Sequence, residues 1–426
     1  MRRLTALFPL LLAAAAVPAA ALHTPESAPT GPSIAFEGGR WFDGQNFVPA
    51  QWYAVEGRLT STRPERIDVR IDLNGRFLLP PLADAHNHDM QNPHFGAISA
   101  IKNLRMGVFY SLQMCSTPDS RNGFAALFNH PGTIDVVHTD ACISSSDGHP
   151  LGIALASDRE MGLEPDINAA RAGYDPIDSL AELDRRWPDI AARKPAIIKI
   201  ILVNSENRQR DAADPKMFGF LGLPAELARP IVERAKAAGI RVAAHADSAA
   251  DFAAAVAAGA DLIAHLPGYR IAPGMKIDAY RLSDAAIAAA RRQGTKVITT
   301  TAVAAYDFGP RPEHKAPIQA MQAENLWRLH SAGVQLVIGS DMVMGTAVDE
   351  ILYLDALKLM PRAQLLRLAT DDTPATIFPG RAIGTFAEGH EASLIAYDAN
   401  PIDDLTALRR PAIRVKAGAI LADPAP

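Results

Sequence analysis

Eight short apolar runs recur between Phe77 and Ser340, and stretches with helical spacing lie between most of them. Near-continuous apolar strands that alternate with helices predict a parallel sheet, and eight such units predict an α/β fold of the (β/α)8 TIM barrel type. The runs cover residues 77–85, 107–114, 134–143, 196–202, 240–244, 262–264, 296–301 and 334–339.

A second, smaller domain is predicted from the two ends of the chain. Short apolar stretches separated by turn residues precede the barrel and return after it, a texture typical of short β-strands. We therefore predict a small β-sandwich built from 34–76 and 379–426, on either side of a barrel at 77–378.

The first residues have the features of a secretory signal peptide. Arg2 and Arg3 precede an apolar stretch at 4–17, and small residues up to Ala21 predict a cut before Leu22. A membrane anchor is the alternative, but the apolar stretch is shorter than the ~20 residues that a spanning helix needs.

Cleavage there would divide the N-terminal region into a signal peptide at 1–21 and a linker at 22–33, which is rich in proline and lacks apolar periodicity. The mature protein would then have no membrane span and would be periplasmic or secreted.

Charge excludes one class of partner. The chain has 42 basic and 47 acidic side chains, and it contains no block of lysine or arginine. A nucleic acid is therefore not an expected partner. A small-molecule substrate is expected, and a homo-oligomer stays open.

The chain contains two cysteines, Cys115 and Cys142, at the ends of neighbouring candidate strands. Two cysteines are too few for a disulfide scaffold or a thiolate zinc cluster. We favour two buried free thiols, with a disulfide, which export would permit, as the alternative.

Ligand-type side chains end several of the apolar runs. His86 and His88 are two residues apart, so on a strand both imidazoles point to the same face. His245, His265 and Asp341 each follow another run, where a barrel strand delivers catalytic residues to the carboxyl face. Each alone is weak evidence, but together they predict a metal site.

Lys199 lies within the apolar segment 197–202, where a charged ammonium would be costly to bury. One solution is reaction of the neutral amine with carbon dioxide to give an anionic carbamate, whose two oxygens can bridge two cations. The alternative is a lysine whose ammonium reaches the barrel rim.

Taken together, these six residues resemble the metal ligands of the amidohydrolase superfamily, in its prolidase-like and imidazolonepropionase-related branch. The segments 71–76, 389–398 and 415–418 resemble the flanking β-sandwich of that superfamily, so the likeness covers nearly all of the mature chain. Pro80-Pro81 stands where the family usually has Pro-Gly, and Ser393 replaces an aspartate, which leaves subfamily and substrate open.

The resemblance implies a binuclear metal-dependent amidohydrolase that cleaves C–N bonds. His86, His88 and Asp341 would hold one divalent ion, His245 and His265 the second, and the Lys199 carbamate and a hydroxide nucleophile would bridge them. Nitrogen-rich ligation suits zinc, and manganese, cobalt and iron stay open as alternatives. Asp341 would act as general base and then as general acid.

Three further residues are candidates for contacts with the substrate. His149 resembles the substrate-contacting histidine of the prolidase-like branch, and Tyr269 and Arg270 follow His265 closely. Two more arginines, at positions 208 and 210, are weaker candidates. The remaining histidines are interpreted as structural: His94, His130, His138, His314, His330 and His390.

Two other classes of function stay open. One is a mononuclear cyclic-amide hydrolase, deaminase or lactonase on the same fold, which would not need Lys199. The other is a non-catalytic binding barrel, which retention of all six ligand positions argues against.

Overall fold

The computed structural model describes residues 31–91, 93–116 and 125–422. The predicted signal peptide at 1–21 lies outside these residues, as does the predicted linker up to residue 30.

The N-terminal part forms short strands separated by tight turns. Gly57 and Gly75 adopt φ angles of 72° and 73°, a conformation that glycine reaches without steric cost. In chain order the strands are β1 (Ile34–Glu37), β2 (Arg40–Phe42), β3 (Phe47–Pro49), β4 (Trp52–Val55), β5 (Arg58–Thr60), β6 (Val69–Asp72) and β7 (Phe77–Leu79).

Parallel strands follow. In chain order they are β8 (Leu82–Asn87), β9 (Val108–Gln113), β10 (Asp135–His138), β11 (Ile143–Ser144), β12 (Asp175–Pro176), β13 (Ile197–Leu202), β14 (Arg241–Ala246), β15 (Leu262–Ile263), β16 (Lys296–Ile298) and β17 (Leu336–Val337). Every residue of β8, β9 and β13 is buried, as is typical of a parallel sheet covered by helices.

Helices connect most of these strands. They are α1 (Pro93–Arg105), α2 (Leu151–Glu160), α3 (Ile167–Ala172), α4 (Leu180–Ala192), α5 (Arg208–Ala212), α6 (Ala228–Ala237), α7 (Ala249–Ala258), α8 (Asp284–Gln293), α9 (Ala305–Phe308), α10 (Lys315–Ser331), α11 (Ala347–Leu357), α12 (Arg362–Arg367) and α13 (Thr373–Ile377). Local sequence sets their ends. Ser248 and Asp251 form a capping box that begins α7, and Gly259, at φ 91°, ends it.

The parallel strands form two hydrogen-bonded sets that backbone bonds join at both sides, and we call this arrangement the strand ring. One set has the order β10-β9-β8 and the other β12-β11-β13-β14-β15-β16-β17. The amide of Asp140 donates to the carbonyl of Ile197 at 3.3 Å and joins the two sets. At the other edge, the amide of Ala85 donates to the carbonyl of Ile338 at 2.8 Å, which brings β17 back to β8.

Three strands follow the last helix: β18 (Leu394–Tyr397), β19 (Ile413–Lys416) and β20 (Ala419–Ile420). They join strands from the other end of the chain in a sheet of order β20-β19-β18-β7-β2-β3, while a second sheet has the order β5-β4-β1-β6. Side chains from both sheets, including Phe36, Trp41, Leu78 and Leu394, pack in one apolar cluster.

The parallel α/β architecture predicted from the sequence is confirmed, but the first apolar run is not one strand. Its start, β7, pairs with β2 and β18, and only its second half, β8, enters the strand ring. Pro80 and Pro81 separate the two because proline has no N–H to continue a ladder. The other seven predicted runs each overlap a strand of the ring.

Candidate metal centre

His86 and His88 lie at and just beyond the carboxyl end of β8, as their spacing predicts. Nδ1 of His86 lies 2.7 Å from the carbonyl oxygen of Ala264 and donates to it, which leaves the Nε2 lone pair free. This Nε2 lies 3.1 Å from Nε2 of His88. Two imidazole nitrogens that face each other in this way suit a shared cation.

Asp341 follows β17 and completes a group of three ligands with these histidines. Its Oδ1 lies 3.4 Å from Nε2 of His86 and 3.4 Å from Nε2 of His88. The three ligand atoms lie within 4.8 Å of one another. The residue has a left-handed φ of 49°, and its amide donates to the carbonyl of His86 at 2.8 Å, which holds the carboxylate over the end of β8.

His245 and His265 form a second pair, positioned by β14 and by the residues just after β15. Their ring centroids are 4.3 Å apart, and the ring of His265 lies 4.5 Å from that of His86. Nδ1 of His245 is buried and has no hydrogen-bond partner within the described parts of the chain. Since buried polar atoms are nearly always bonded, this free nitrogen points to a ligand.

Lys199 lies in the middle of β13, and its side chain is only 1% exposed. Its Nζ is 3.0 Å from Nε2 of His86. Among the residues that the structure describes, no carboxylate forms an ion pair with this amine. Burial lowers the pKa of Lys199, while the charges of Asp341 and Asp247 oppose the shift. Burial therefore disfavours the charged form of this amine, which lies among the candidate ligands.

We call these six residues the ligand cluster: His86, His88, Lys199, His245, His265 and Asp341. The structure brings all six together at the carboxyl side of the strand ring, five of them from strand ends or the residues that follow and Lys199 from the middle of β13. His86, His88 and Asp341 form one half of the cluster and His245 and His265 the other, and Nδ1 of His265 lies 3.5 Å from Oδ2 of Asp341 across the two.

Burial sets the protonation of the cluster. It lowers the pKa of all four histidines, and the nearby Lys199 charge adds to this effect in each case. Neutral imidazole is the form that binds metals. Burial also raises the pKa of Asp341, an effect that Lys199 opposes. Four neutral imidazoles, one carboxylate and the buried amine nitrogen of Lys199 fit divalent cations of borderline softness.

Two buried carboxylates that the sequence analysis missed support this arrangement. Asp84 accepts hydrogen bonds from the amide of His86 at 3.0 Å and from the hydroxyl of Ser340 at 2.6 Å, so it joins the first and last strands of the ring. Burial raises the pKa of Asp84 to about 6. Glu350 accepts from the amide and hydroxyl of Thr301 at 2.9 and 2.7 Å.

The third missed carboxylate, Asp247, bonds directly to a residue of the ligand cluster. Its Oδ1 lies 2.8 Å from Nε2 of His245. Burial alone would raise its pKa, but the Arg270 charge and the bonds from His245 and Tyr269 outweigh burial and hold the pKa of Asp247 far below its usual range. The signal in the sequence is the spacing of His245 and Asp247, which repeats that of His86 and His88.

The three candidate substrate residues lie beside the second histidine pair. The ring of His149 stacks on that of His245, with centroids 5.3 Å apart and planes at 27°. The ring of Tyr269 lies 5.3 Å from that of His265. Cζ of Arg270 lies 5.5 Å from the centre of the Tyr269 ring. All three side chains are partly exposed, so a bound molecule could reach them.

The two weaker arginine candidates have other partners. Arg208 donates to the carbonyl of Gly222, and Arg210 pairs with Asp211 at 2.7 Å. Hydrogen bonds also occupy five histidines interpreted as structural, and their partners are Ala126 for His130, Ser116 for His138, Asp307 for His314, Gln364 for His330 and Thr385 for His390. The side chain of His94 lies outside the described residues.

The favoured interpretation of the cysteines was wrong, because Cys115 and Cys142 form a disulfide with their Cα atoms 4.8 Å apart. Cys115 follows β9 and Cys142 immediately precedes β11, so the bridge links the segments beside these two strands. The amide of Cys115 also bonds to the hydroxyl of Thr139 at 2.7 Å, which fixes the backbone beside the bridge. Their position at the ends of neighbouring strands was the available signal.

Within 31–91, 93–116 and 125–422, no helix is both long and apolar enough to cross a membrane.

Comparison with known proteins identifies the family and agrees with the fold. The family model of the amidohydrolase family matches residues 77–418, so the chain belongs to this family. It is therefore classed among the hydrolases that act on carbon–nitrogen bonds. No curated protein matches the sequence at a significant level.

Solved structures share the fold at low sequence identity. An ochratoxinase from A. niger is 18% identical with a TM-score of 0.69, and the match covers 93% of this chain and 97% of that chain. A Xaa-Pro dipeptidase with bound methionine is 19% identical with a TM-score of 0.68, over 91% and 99%. A molinate hydrolase is 18% identical with a TM-score of 0.66, over 92% and 95%.

Proposed function

We propose that this chain is an exported, binuclear metal-dependent amidohydrolase that hydrolyses an amide or peptide-like bond of a small substrate. The observation that carries the proposal is the convergence of the ligand cluster at the carboxyl face of the strand ring, where enzymes with parallel barrels place their catalytic residues. The (β/α)8 barrel and the β-sandwich from both chain ends belong to the same proposal. The hydrogen bonds that close the ring and the mixed six-stranded sheet support them.

The two halves of the cluster suggest which residues would hold each of two ions. His86, His88 and Asp341 would hold the first, and His245 and His265 the second. Lys199 lies 3.0 Å from His86 and is buried without an ion pair among the described residues, so a carbamate at its Nζ is our proposal for the bridge. Bound zinc ions would supply Lewis-acid activation of water and of the scissile carbonyl.

The protein's own residues would move the proton and orient the substrate. Asp341 is the one carboxylate of the cluster, and we assign it the role of accepting the proton of the attacking water and delivering it to the leaving nitrogen. His149, Tyr269 and Arg270 line the side of the second histidine pair and would bind polar groups of the substrate.

The structural relatives act on different compounds, since their names specify ochratoxin, a Xaa-Pro dipeptide and molinate. A hydrolysis screen over N-acyl amino acids, dipeptides and lactones would therefore identify the bond. We expect cleavage of an amide or peptide bond. Turnover of lactones alone would contradict the proposal.

One observation favours a mononuclear hydrolase or deaminase as the second candidate. Among the described residues, the only group of at least three His, Cys, Asp or Glu ligand atoms within 4.8 Å consists of His86, His88 and Asp341. A single ion there would need neither Lys199 nor the second histidine pair. Metal stoichiometry distinguishes the two candidates.

We expect the purified enzyme to hold two divalent ions per chain, and His245→Ala to lose one of them. Removing a ligand at a strand end leaves the apolar core intact, so the fold should persist. Elemental analysis and circular dichroism together check this. His330→Ala, which changes a histidine on α10 bonded to Gln364, is the matched control and should keep both ions. A fully active wild type with one ion would favour the mononuclear candidate.

The mature protein is expected to start at or near Leu22 in the periplasm or outside the cell. The proposal rests on the N-terminal sequence and is supported by the disulfide, since disulfides persist in oxidising compartments. N-terminal sequencing of protein from its native compartment tests it. A mature protein that begins at Met1 would show that the leader is not cleaved.

A further inference from the structure

Asp247 lies at the end of the segment that carries His245, yet it faces three side chains from two different parts of the chain. Oδ1 lies 2.8 Å from Nε2 of His245 and accepts a 2.6 Å hydrogen bond from the hydroxyl of Tyr269. Oδ2 accepts a 2.9 Å bond from Nη2 of Arg270. The residue is only 3% exposed, so these partners replace the water that a carboxylate otherwise needs.

The bond to His245 also decides which ring nitrogen is free. An ionised carboxylate can only accept, so Nε2 of His245 carries the proton and donates it to Asp247. The opposite nitrogen, Nδ1, then has its lone pair available, and it is the buried atom without a partner among the described residues. Metal-binding histidines commonly have their second nitrogen held by a carboxylate in this way.

The backbone of Asp247 is fixed independently of its side chain. Its amide donates to Oδ2 of Asp251 at 3.2 Å, and that carboxylate also accepts the amides of Ser248 at 3.0 Å and Asn204 at 2.7 Å. Asn204 follows the strand that carries Lys199, so Asp251 ties two strand ends together. Replacing the Asp247 side chain should therefore disturb its three partners and not the course of the chain.

We propose that Asp247 is a positioning residue that holds the metal ligand His245 and the substrate-side residues Tyr269 and Arg270 as one unit. The inference rests on the proposed function and deepens it. Binding of the second ion and binding of the substrate would depend on the same carboxylate. An anionic or carbonyl group of the substrate would then bind to Arg270 and Tyr269, whose positions are fixed by the same carboxylate that holds the metal ligand His245.

Asp247→Asn and Asp247→Ala test this proposal, because the first removes part of the bonding of Asp247 and the second removes all of it. Asparagine can still accept from His245 and Tyr269, but its amide donors face the guanidinium of Arg270 and it lacks the charge. Alanine removes all three bonds. Loss of such a supporting partner typically costs about 10 to 100-fold in metal affinity. We expect the second ion to be lost at about 10-fold lower chelator concentration in the asparagine variant, and at still lower concentration in the alanine variant.

The measurement is metal content after dialysis against graded chelator, beside KM and kcat of the metal-saturated enzyme. The first ion should be retained as in the wild type, and KM should rise because Arg270 and Tyr269 are released. Asp261→Asn is the matched control. Asp261 accepts a 2.8 Å hydrogen bond from the amide of Val242, which lies near the start of β14, at the end opposite to His245. This control variant should change neither the retention of the second ion nor KM.

A second experiment combines Asp247→Asn with Arg270→Met. If Asp247 acts on substrate binding through Arg270, the effects of Asp247→Asn and Arg270→Met on KM should not add in the double variant. Two additive effects, or an Asp247→Asn enzyme with wild-type chelator resistance and KM, would overturn the inference. A wild type with fewer than two ions would instead contradict the proposed function, so the two failures are distinguishable.

Discussion

Lys199→Ala is expected to give a folded protein whose turnover is reduced by about three orders of magnitude, the scale on which several kcal/mol of transition-state stabilisation is lost. The side chain lies buried in β13 with its Nζ 3.0 Å from His86. Truncation removes a group that is costly to bury as an ammonium, so the penalty should fall on activity more than on stability. Turnover and a thermal melt measured on the same preparation check this.

The carbamate hypothesis makes a sharper prediction about rescue. The alanine variant leaves a space beside the ligand cluster that a short carboxylic acid or bicarbonate can enter, so formate or acetate should restore part of the activity. Lys199→Met is the matched control, because methionine fills much of that space and offers no oxygen. It should be inactive with and without added acid.

Carbamate formation joins Nζ to carbon dioxide and releases one proton, so no further reactant is needed. Isotope-labelled bicarbonate and NMR of the wild type should show the labelled carbon at Lys199. A fully active, two-metal enzyme whose Lys199 is unmodified would overturn the carbamate. Undiminished turnover of Lys199→Ala would remove Lys199 from the site.

The sequence could locate five members of the ligand cluster because they end or closely follow recognisable apolar runs. Strand periodicity determines which face a side chain occupies, and the parallel arrangement brings the carboxyl ends together. Lys199 was singled out by a different argument, because a charged ammonium within the apolar segment 197–202 is costly to bury, and the resemblance to the superfamily then placed it among the ligands. Local pattern was therefore sufficient for the five residues at strand ends, while Lys199 also needed the resemblance.

Other features depend on contacts that no local pattern contains. The spacing of Asp247 from His245 is visible in the sequence, but its bonds to Tyr269 and Arg270 depend on the loop after β15, which places both side chains against it. Pairing of β7 with β18 joins residues more than three hundred positions apart, and nothing within the run at 77–85 except its two prolines marks the break. The disulfide likewise required the distance between Cys115 and Cys142.

Asp341→Asn is expected to lower amide turnover by about 10² to 10⁴-fold, the usual contribution of a positioned general acid or base. Asparagine keeps the shape of the side chain and one ligand oxygen, but it can neither accept the proton of the attacking water nor deliver it to the leaving nitrogen. Asp355→Asn, which changes a carboxylate on α11 paired with Arg362 at 3.0 Å, should leave turnover unchanged.

Metal content separates the two roles that Asp341 combines. If the variant keeps its ions and still loses turnover, proton transfer is the function lost. The size of the loss should then depend on the leaving group, because an aryl ester with a good leaving group does not need protonation while an amide does. We expect the ester to lose at least 10-fold less than the amide. Equal losses on both substrates in a metal-replete variant would show that Asp341 does not protonate the leaving nitrogen.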